Sequence, residues 1–270
     1  MHSASTVRIQ SMNTEIQEPV RIFVGTSPNG EDAEAEMVLE YSLRKHSSRP
    51  IDITWMRLSR DPRSIWYSGK YGRSGWRTHK WTTPFTGFRW AIPEACNFQG
   101  KAIYMDVDMV NLHDISELYS LAFAHDKAIM ARPGLKSNYR FCVMLMDCEK
   151  LKTILPPAKK LQRLKQGHRE ITDMLLKSDY IQTLDPRWNC LDGEDLAIDE
   201  IWHLHYTKMA SQPWKPAWYP GVTEEHARPE IADLWFQYKE EAMANSWWPK
   251  KPDPPFGAVK IHLRKGRKKA

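Results

Sequence analysis

A chain of 270 residues, set against roughly 100–200 residues per domain, fits one large domain or one domain with appendages and argues against a tandem array. Its 41% share of hydrophobic residues predicts a sizeable buried core. No stretch approaches the roughly 18 uninterrupted apolar residues of a membrane span, and the opening residues lack the apolar block of a signal peptide, so a cytosolic protein is expected. The formal charge of +6 is concentrated: residues 250–270 carry +7 and leave −1 for the rest. Such a tail can engage an anionic membrane surface at its cytoplasmic face or nucleic acid, or simply stay solvated. Cys96, Cys142, Cys148 and Cys190 contain no CxxC pair and resemble neither a disulfide scaffold nor a zinc ribbon, so they are read as reduced thiols.

In chain order, residues 1–19 are polar and aperiodic and predict a flexible leader. Residues 20–24 form a β-favouring run that stops at a cluster of turn formers, residues 25–30. A helix follows, with acids in its first turn and bases in its last, until Pro50 ends it. Residues 51–56 are the next strand, so the chain opens with a β-loop-α-β unit and a parallel sheet. Residues 57–82 read as a long surface loop. A helix over residues 86–97 and a strand over 101–105 come next. Further strands are expected at residues 128–131 and 142–146, with helices near 149–155, 157–165 and 169–177. After residue 212 the crowding of Trp and Pro predicts an irregular wrap. The domain limits expected are a leader at 1–19, a catalytic domain at 20–249 and a basic tail at 250–270.

Asp106-Val107-Asp108 follows the strand over residues 101–105 directly, and ligands of open α/β sheets bind at carboxyl ends of strands. Residues i and i+2 of an extended segment share a side, so both carboxylates can face one cation, and hard oxygen ligands suit Mg²⁺ or Mn²⁺. The alternative is a solvated strand end or a helix cap. Both carboxylates are read as ligands near the surface, and neither is expected to support the fold. His203 and His205, also at i and i+2, can bring an imidazole to the same cation, the alternative being a packed, hydrogen-bonded ring.

Together these pieces resemble the GT-A glycosyltransferases, and among them glycosyltransferase family 8, the family of glycogenin and the bacterial lipopolysaccharide galactosyltransferases. The likeness is carried by Arg21-Ile22-Phe23-Val24-Gly25-Thr26 with Ser42-Leu43-Arg44-Lys45-His46, by Phe88-Arg89 with Pro93-Glu94, by the strand into Asp106-Val107-Asp108, and by His205-Tyr206 with Gln212-Pro213-Trp214. It covers residues 20 to about 216. It implies a single α/β domain of GT-A (Rossmann-like) type, with a mixed, mostly parallel sheet flanked by helices. It also implies retaining transfer of a hexose from a nucleoside-diphosphate sugar, a UDP-sugar in the first instance, to a glycan or lipid-linked acceptor. By position, Asp106, Asp108 and His205 hold the metal, Mn²⁺ or Mg²⁺. Val107 lies between the two ligands, Arg89 contacts the donor, and Thr26 lies by the base or ribose.

The sequence also departs from the family. Gln212 stands where the late signature has Lys, and the segment from His205 to Pro213 is one residue longer, so the phosphate-binding lysine is lost or replaced by Lys208 or Lys215. Arg140-Phe141-Cys142-Val143 replaces the family's Asn-Ala-Gly-Val. These differences suggest a divergent branch. For the sugar-side carboxylate Asp173 is the first choice, with Asp192 or Asp195 behind it, although four acids within residues 192–199 also read as a solvated turn. Two other functions compete. A metal-dependent nucleotidyltransferase also places paired acids on a strand end, but it usually carries a Gly-rich, Lys-containing phosphate loop, and residues 25–30 lack Lys. A nucleic-acid binder built on the tail is less favoured, and would lose affinity steeply with salt. Motifs for dinucleotide oxidoreductases, P-loop NTPases, zincins and serine hydrolases are missing from the sequence.

Overall fold

A computed structural model describes residues 17–77, 81, 83, 85–135, 138–164, 167–214 and 221–258. Residues 1–16 of the leader, Lys215, and the tail from residue 259 lie outside the described residues. The opening unit is β1 (Val20–Gly25), α1 (Ala33–His46) and β2 (Ile51–Met56), with β2 parallel to β1 as expected. Glu34 and Glu36 in the first turn of α1, and Arg44, Lys45 and His46 in its last, match the helix dipole. A short α2 (Ile92–Ala95) precedes β3 (Lys101–Asp106), β4 (Met109–Asn111) and α3 (Ile115–Ser120). Then come β5 (Ile129–Pro133), β6 (Tyr139–Asp147), α4 (Cys148–Ile154), α5 (Ala158–Leu161), α6 (His168–Lys177) and β7 (Ile181–Thr183). The chain continues through β8 (Cys190–Leu191) and β9 (His203–His205) to α7 (Pro229–Ala244).

Six strands form one sheet in the order β2-β1-β3-β6-β5-β7, parallel except where β6 runs against both neighbours. A second sheet has the order β4-β9-β8. The main sheet is apolar on both faces because both are covered. Val20, Ile22, Val24, Ile103, Met105, Val143 and Leu145 point into a layer shared with α1, α7 and the small sheet. Phe23, Ala102, Tyr104, Met144 and Met146 point into a layer built from α2, α4, α5, α6 and residues 57–91.

Three expectations are corrected. The described part of residues 57–82 is mostly irregular but not a surface loop: Trp66, Trp76 and Trp81 are buried in the layer on the sheet, and the Trp76 indole donates to the Ile65 carbonyl at 2.8 Å. Residues 86–97 are not one helix but a 3-10 turn, Phe88–Ala91, followed by α2. Pro93 sits in the first turn of α2, where its missing N–H costs nothing, so it begins that helix and does not end a longer one. The irregular wrap after residue 212 contains α7, a sixteen-residue helix packed on α1. Its buried Ile231, Trp235, Tyr238 and Ala242 recur at helical spacing between the Trp- and Pro-rich stretches that masked them.

Contacts with the body run past residue 249. Lys251 and Pro252 lie against Gly30, whose φ of +77° and lack of a side chain allow the approach. The Arg60 guanidinium stacks on Phe256, and Gly257 exchanges hydrogen bonds with the Asn29 side chain. Among the described residues no helix is long and apolar enough to cross a membrane.

Trp235 is 1% exposed and stacks on Trp214 at 5.3 Å, pinning α7 to the core. Trp235→Ala is expected to lower the free energy of unfolding by about 3–5 kcal/mol, read from urea denaturation.

Candidate active site

The site forms where the chain leaves β3. Asp106 is the last residue of β3 in the main sheet, and β4 of the small sheet begins at Met109, so Asp108 lies in the joint. Val107 anchors that joint, its side chain buried in the core. The antiparallel register of β4 with β9 sets Met109 opposite His205, and the Tyr206 amide donates to the Asp108 carbonyl at 2.9 Å. His205 Nε2 thereby reaches 3.4 Å from Asp108 Oδ1. On the other side of the joint, the register pairing Met105 with Val143 brings Cys142 of β6 opposite Asp106. One ligand atom each from Asp106, Cys142 and His205 lie within 4.8 Å of one another.

Each carboxylate is held by its own partners. Asp106 Oδ1 accepts from Arg89 at 3.1 Å and from the Tyr104 hydroxyl. Arg89 comes from the 3-10 turn with its side chain only 7% exposed, and it also donates to the Thr86 and Phe141 carbonyls and lies over the Tyr104 ring. Burial opposes its charge, but Tyr104 and Asp106 outweigh burial and keep its pKa above the usual arginine range. Asp108 Oδ2 accepts from Gln212 at 3.2 Å, while its Oδ1 is buried with no hydrogen-bond partner among the described residues. Burial acts to lower the His205 pKa, yet Asp108 overrides it and holds the imidazole well above the usual histidine range. His205 Nδ1 donates to Asn189 Oδ1 at 3.2 Å, which fixes the ring and aims Nε2 at the carboxylates.

These donors fit a divalent cation. An Asp106 oxygen, the His205 imidazole nitrogen fixed from behind and the Cys142 sulfur gather within 4.8 Å of one another, and Asp108 meets the same imidazole at 3.4 Å. His205 is thus brought near both Asp106 and Asp108 by the joint between two sheets and not by one strand's alternation, while the three-donor cluster takes Cys142, and not Asp108, as its third member. Sequence reasoning missed Asn189, Cys142 and Gln212. The first carried no signal, whereas the other two stand at the departures from the family pattern.

Other sequence candidates fall elsewhere. His203 is packed, with Nδ1 on Asn111 and Nε2 against the Met109 sulfur. Arg89 is committed to protein acceptors and acts by positioning Asp106. Thr26 is fully buried with its hydroxyl donating to Glu36 at 2.5 Å, leaving only its backbone for a ligand. Asp173 is exposed on α6, pairs with Arg169 at 3.6 Å and is not among the residues of the cluster. Lys208 pairs with Glu224 on the surface. Asp195 is exposed, but Asp192 is not part of a solvated turn: it is 3% exposed and holds Thr207 at 2.7 Å and His226 at 3.2 Å.

Asp106→Asn leaves the buried Arg89 charge without its partner and is expected to cost about 3 kcal/mol of unfolding free energy, against a smaller loss for Asp108→Asn, measured by denaturant titration. The expectation that neither carboxylate supports the fold is thus replaced for Asp106. His168 rests between Trp90 and Phe141, and burial, then Arg89, lowers its pKa to about 4. It stays neutral when folded and takes up a proton when unfolded, so its contribution is flat above about pH 6.5 and stability is lost as pH falls from there towards 4. Unfolding midpoints measured across that window should fall less steeply for His168→Phe than for the natural chain.

No protein-family model matches the chain. Among solved structures, the bifunctional glycosyltransferase WbbM superposes with a TM-score of 0.58 at 12% identity, over 86% of this chain and 52% of that one. The glycosyltransferase GlyE of Streptococcus pneumoniae does so at 0.55 and 18%, over 86% and 66%. The galactosyltransferase LgtC, solved with donor and acceptor sugar analogs, gives 0.54 and 12%, over 82% and 96%. The chain therefore spans about half of WbbM and just under two thirds of GlyE, and the likeness at these identities is one of fold: the architecture is GT-A. Protein CDI of Arabidopsis thaliana is 30% identical over 249 residues, which cover 83% of this chain and 88% of that protein. With this much of both chains aligned at that identity, the chain belongs to the family of Protein CDI.

Proposed function

We propose that the protein is a metal-dependent glycosyltransferase that moves a hexose from a UDP-sugar to a glycan or lipid-linked acceptor with retention of configuration. The observation that supports this is the gathering of Asp106, His205 and Cys142 at the end of β3, with Asp108 3.4 Å from the same imidazole, in a fold shared with WbbM, GlyE and LgtC. The resemblance to family 8 supports the nucleotide, the retention and Mn²⁺ as the ion.

Cleaving a sugar–diphosphate bond builds negative charge on the departing nucleotide, and a divalent ion, when bound, neutralises that charge where it develops. Asp106, Asp108 and His205 would hold the ion. The protein's own part is preorganisation: Arg89 and Tyr104 fix Asp106, Gln212 fixes Asp108, and Asn189 fixes His205. Because these partners are buried or half-buried, little reorientation accompanies charge build-up. The Lys and Arg residues from Lys260 to Lys269 give the chain a basic end suited to an anionic surface presenting a lipid-linked acceptor.

Incubation with Mn²⁺ and a panel of nucleotide sugars should release UDP from one UDP-sugar, slowly without acceptor. Asp108→Asn should abolish that release while retaining a cooperative unfolding transition. Absence of release from every donor, with and without glycan acceptors, would refute the assignment.

A further inference from the structure

The donor set contains one atom that neither the paired carboxylates nor the late histidine accounts for. Cys142 projects from β6 at the place where the resemblance puts a glycine, so a side chain enters the site there. Its sulfur lies within 4.8 Å of ligand atoms of both Asp106 and His205. The other three thiols are used differently. Cys96 and Cys148 are buried and hydrogen-bonded to each other, and Cys190 is buried with its sulfur against the Pro186 and Arg187 carbonyls. Cys142 is half-buried and faces ionisable groups: Asp106, His205 and the Arg89 guanidinium.

We propose that Cys142 is a further protein ligand to the divalent cation of this site, joining Asp106 and His205 in a set whose thiolate favours Zn²⁺ or Co²⁺ over Mg²⁺ and departs from the Mn²⁺ of the family resemblance. This rests on the metal assignment made above and revises the identity of the ion. Donor atoms around one tetrahedral ion stand roughly 3.3–3.8 Å apart, a spacing that the three donors within 4.8 Å of one another approach, and a three-ligand set keeps a position open for the donor's diphosphate. A soft sulfur donor raises affinity for borderline ions and adds nothing for Mg²⁺, which prefers an octahedron of oxygens. The coordinating thiol gives up its proton to solvent on binding, so the S–H bond is replaced by a metal–sulfur bond with no change in oxidation state.

The test is titration of the full chain with Co²⁺ alone, followed by absorption spectroscopy. The natural chain should develop visible ligand-field bands together with a near-ultraviolet thiolate-to-Co²⁺ charge-transfer band. Cys142→Ser and Cys142→Ala should lose the charge-transfer band and keep ligand-field bands, whereas Cys190→Ser should keep both. By calorimetry, removal of an outer-shell partner lowers metal affinity about 10–100-fold, and Cys142→Ala should lower Zn²⁺ affinity by at least that factor while leaving Mg²⁺ affinity little changed. Circular dichroism of both Cys142 variants checks that they are folded, and the serine variant keeps nearly the natural side-chain volume. Co²⁺ binding without a charge-transfer band, or a band that survives in Cys142→Ser, overturns the inference and leaves the carboxylate–histidine site standing. No Co²⁺ binding by the natural chain, or binding unaffected by Asp108→Asn, overturns the metal assignment itself and this inference with it.

Discussion

The pairing of β4 with β9 is the constraint on which the site depends. Two residues after the main sheet releases the chain at Asp106, a second sheet captures it, and the register of that capture decides which side chains meet. A shift of one residue would turn His205 away from Asp108 and put Leu204 there, because alternate side chains of a strand face opposite ways. The backbone bond from Tyr206 to the Asp108 carbonyl and the Gln212 amide on its carboxylate both follow from the same register. Residues about a hundred positions apart therefore meet through backbone hydrogen bonds, before any side-chain attraction is considered.

On the opposite side of the joint the governing quantity is the cost of burying a charge. A guanidinium held almost out of water is tolerated only where acceptors surround it, and Arg89 has Asp106, two carbonyls and an aromatic face. The arrangement ties the layer of residues 57–91 to the end of β3, so packing on one face of the sheet and the position of a carboxylate are one problem. Asp106 is consequently both a candidate ligand and the counter-ion of a buried guanidinium, whereas Asp108 faces the His205 imidazole, a group that can give up its charge. Two carboxylates one residue apart thus carry unequal structural duties.

What the sequence displayed was local. The β-loop-α-β opening, the strand running into Asp106 and the helix over α6 are legible because apolar periodicity and turn residues act over a few positions. Asp106, Asp108 and His205 could be grouped because motif spacing and family resemblance are also one-dimensional. Cys142, Asn189 and the burial of Arg89 could not, since each depends on which strand lies beside which. Asp173 shows the same limit from the other side: spacing suggests the residue type, but only the fold shows that its helix face is turned to solvent. The missed α7 had a clear helical stripe, but the surrounding proline and tryptophan drew attention to the flanks. The buried tryptophans of residues 57–82 were misplaced because a segment without periodicity looks alike whether it floats or packs.

The packing of α7 on α1 also bears on how the chain is made. The apolar side of α1 is completed by Trp235 and its neighbours, and Lys45–Glu241, Lys239–Glu34 and the His46–Tyr238 bond seal the seam. A ribosome emits α1 long before α7. At about 5–20 residues per second, the interval between the two helices is roughly 10–40 seconds, during which the first helix and strand lack their cover. Until α7 emerges, the apolar face of α1 that it covers is left for transient collapse or a chaperone to shield.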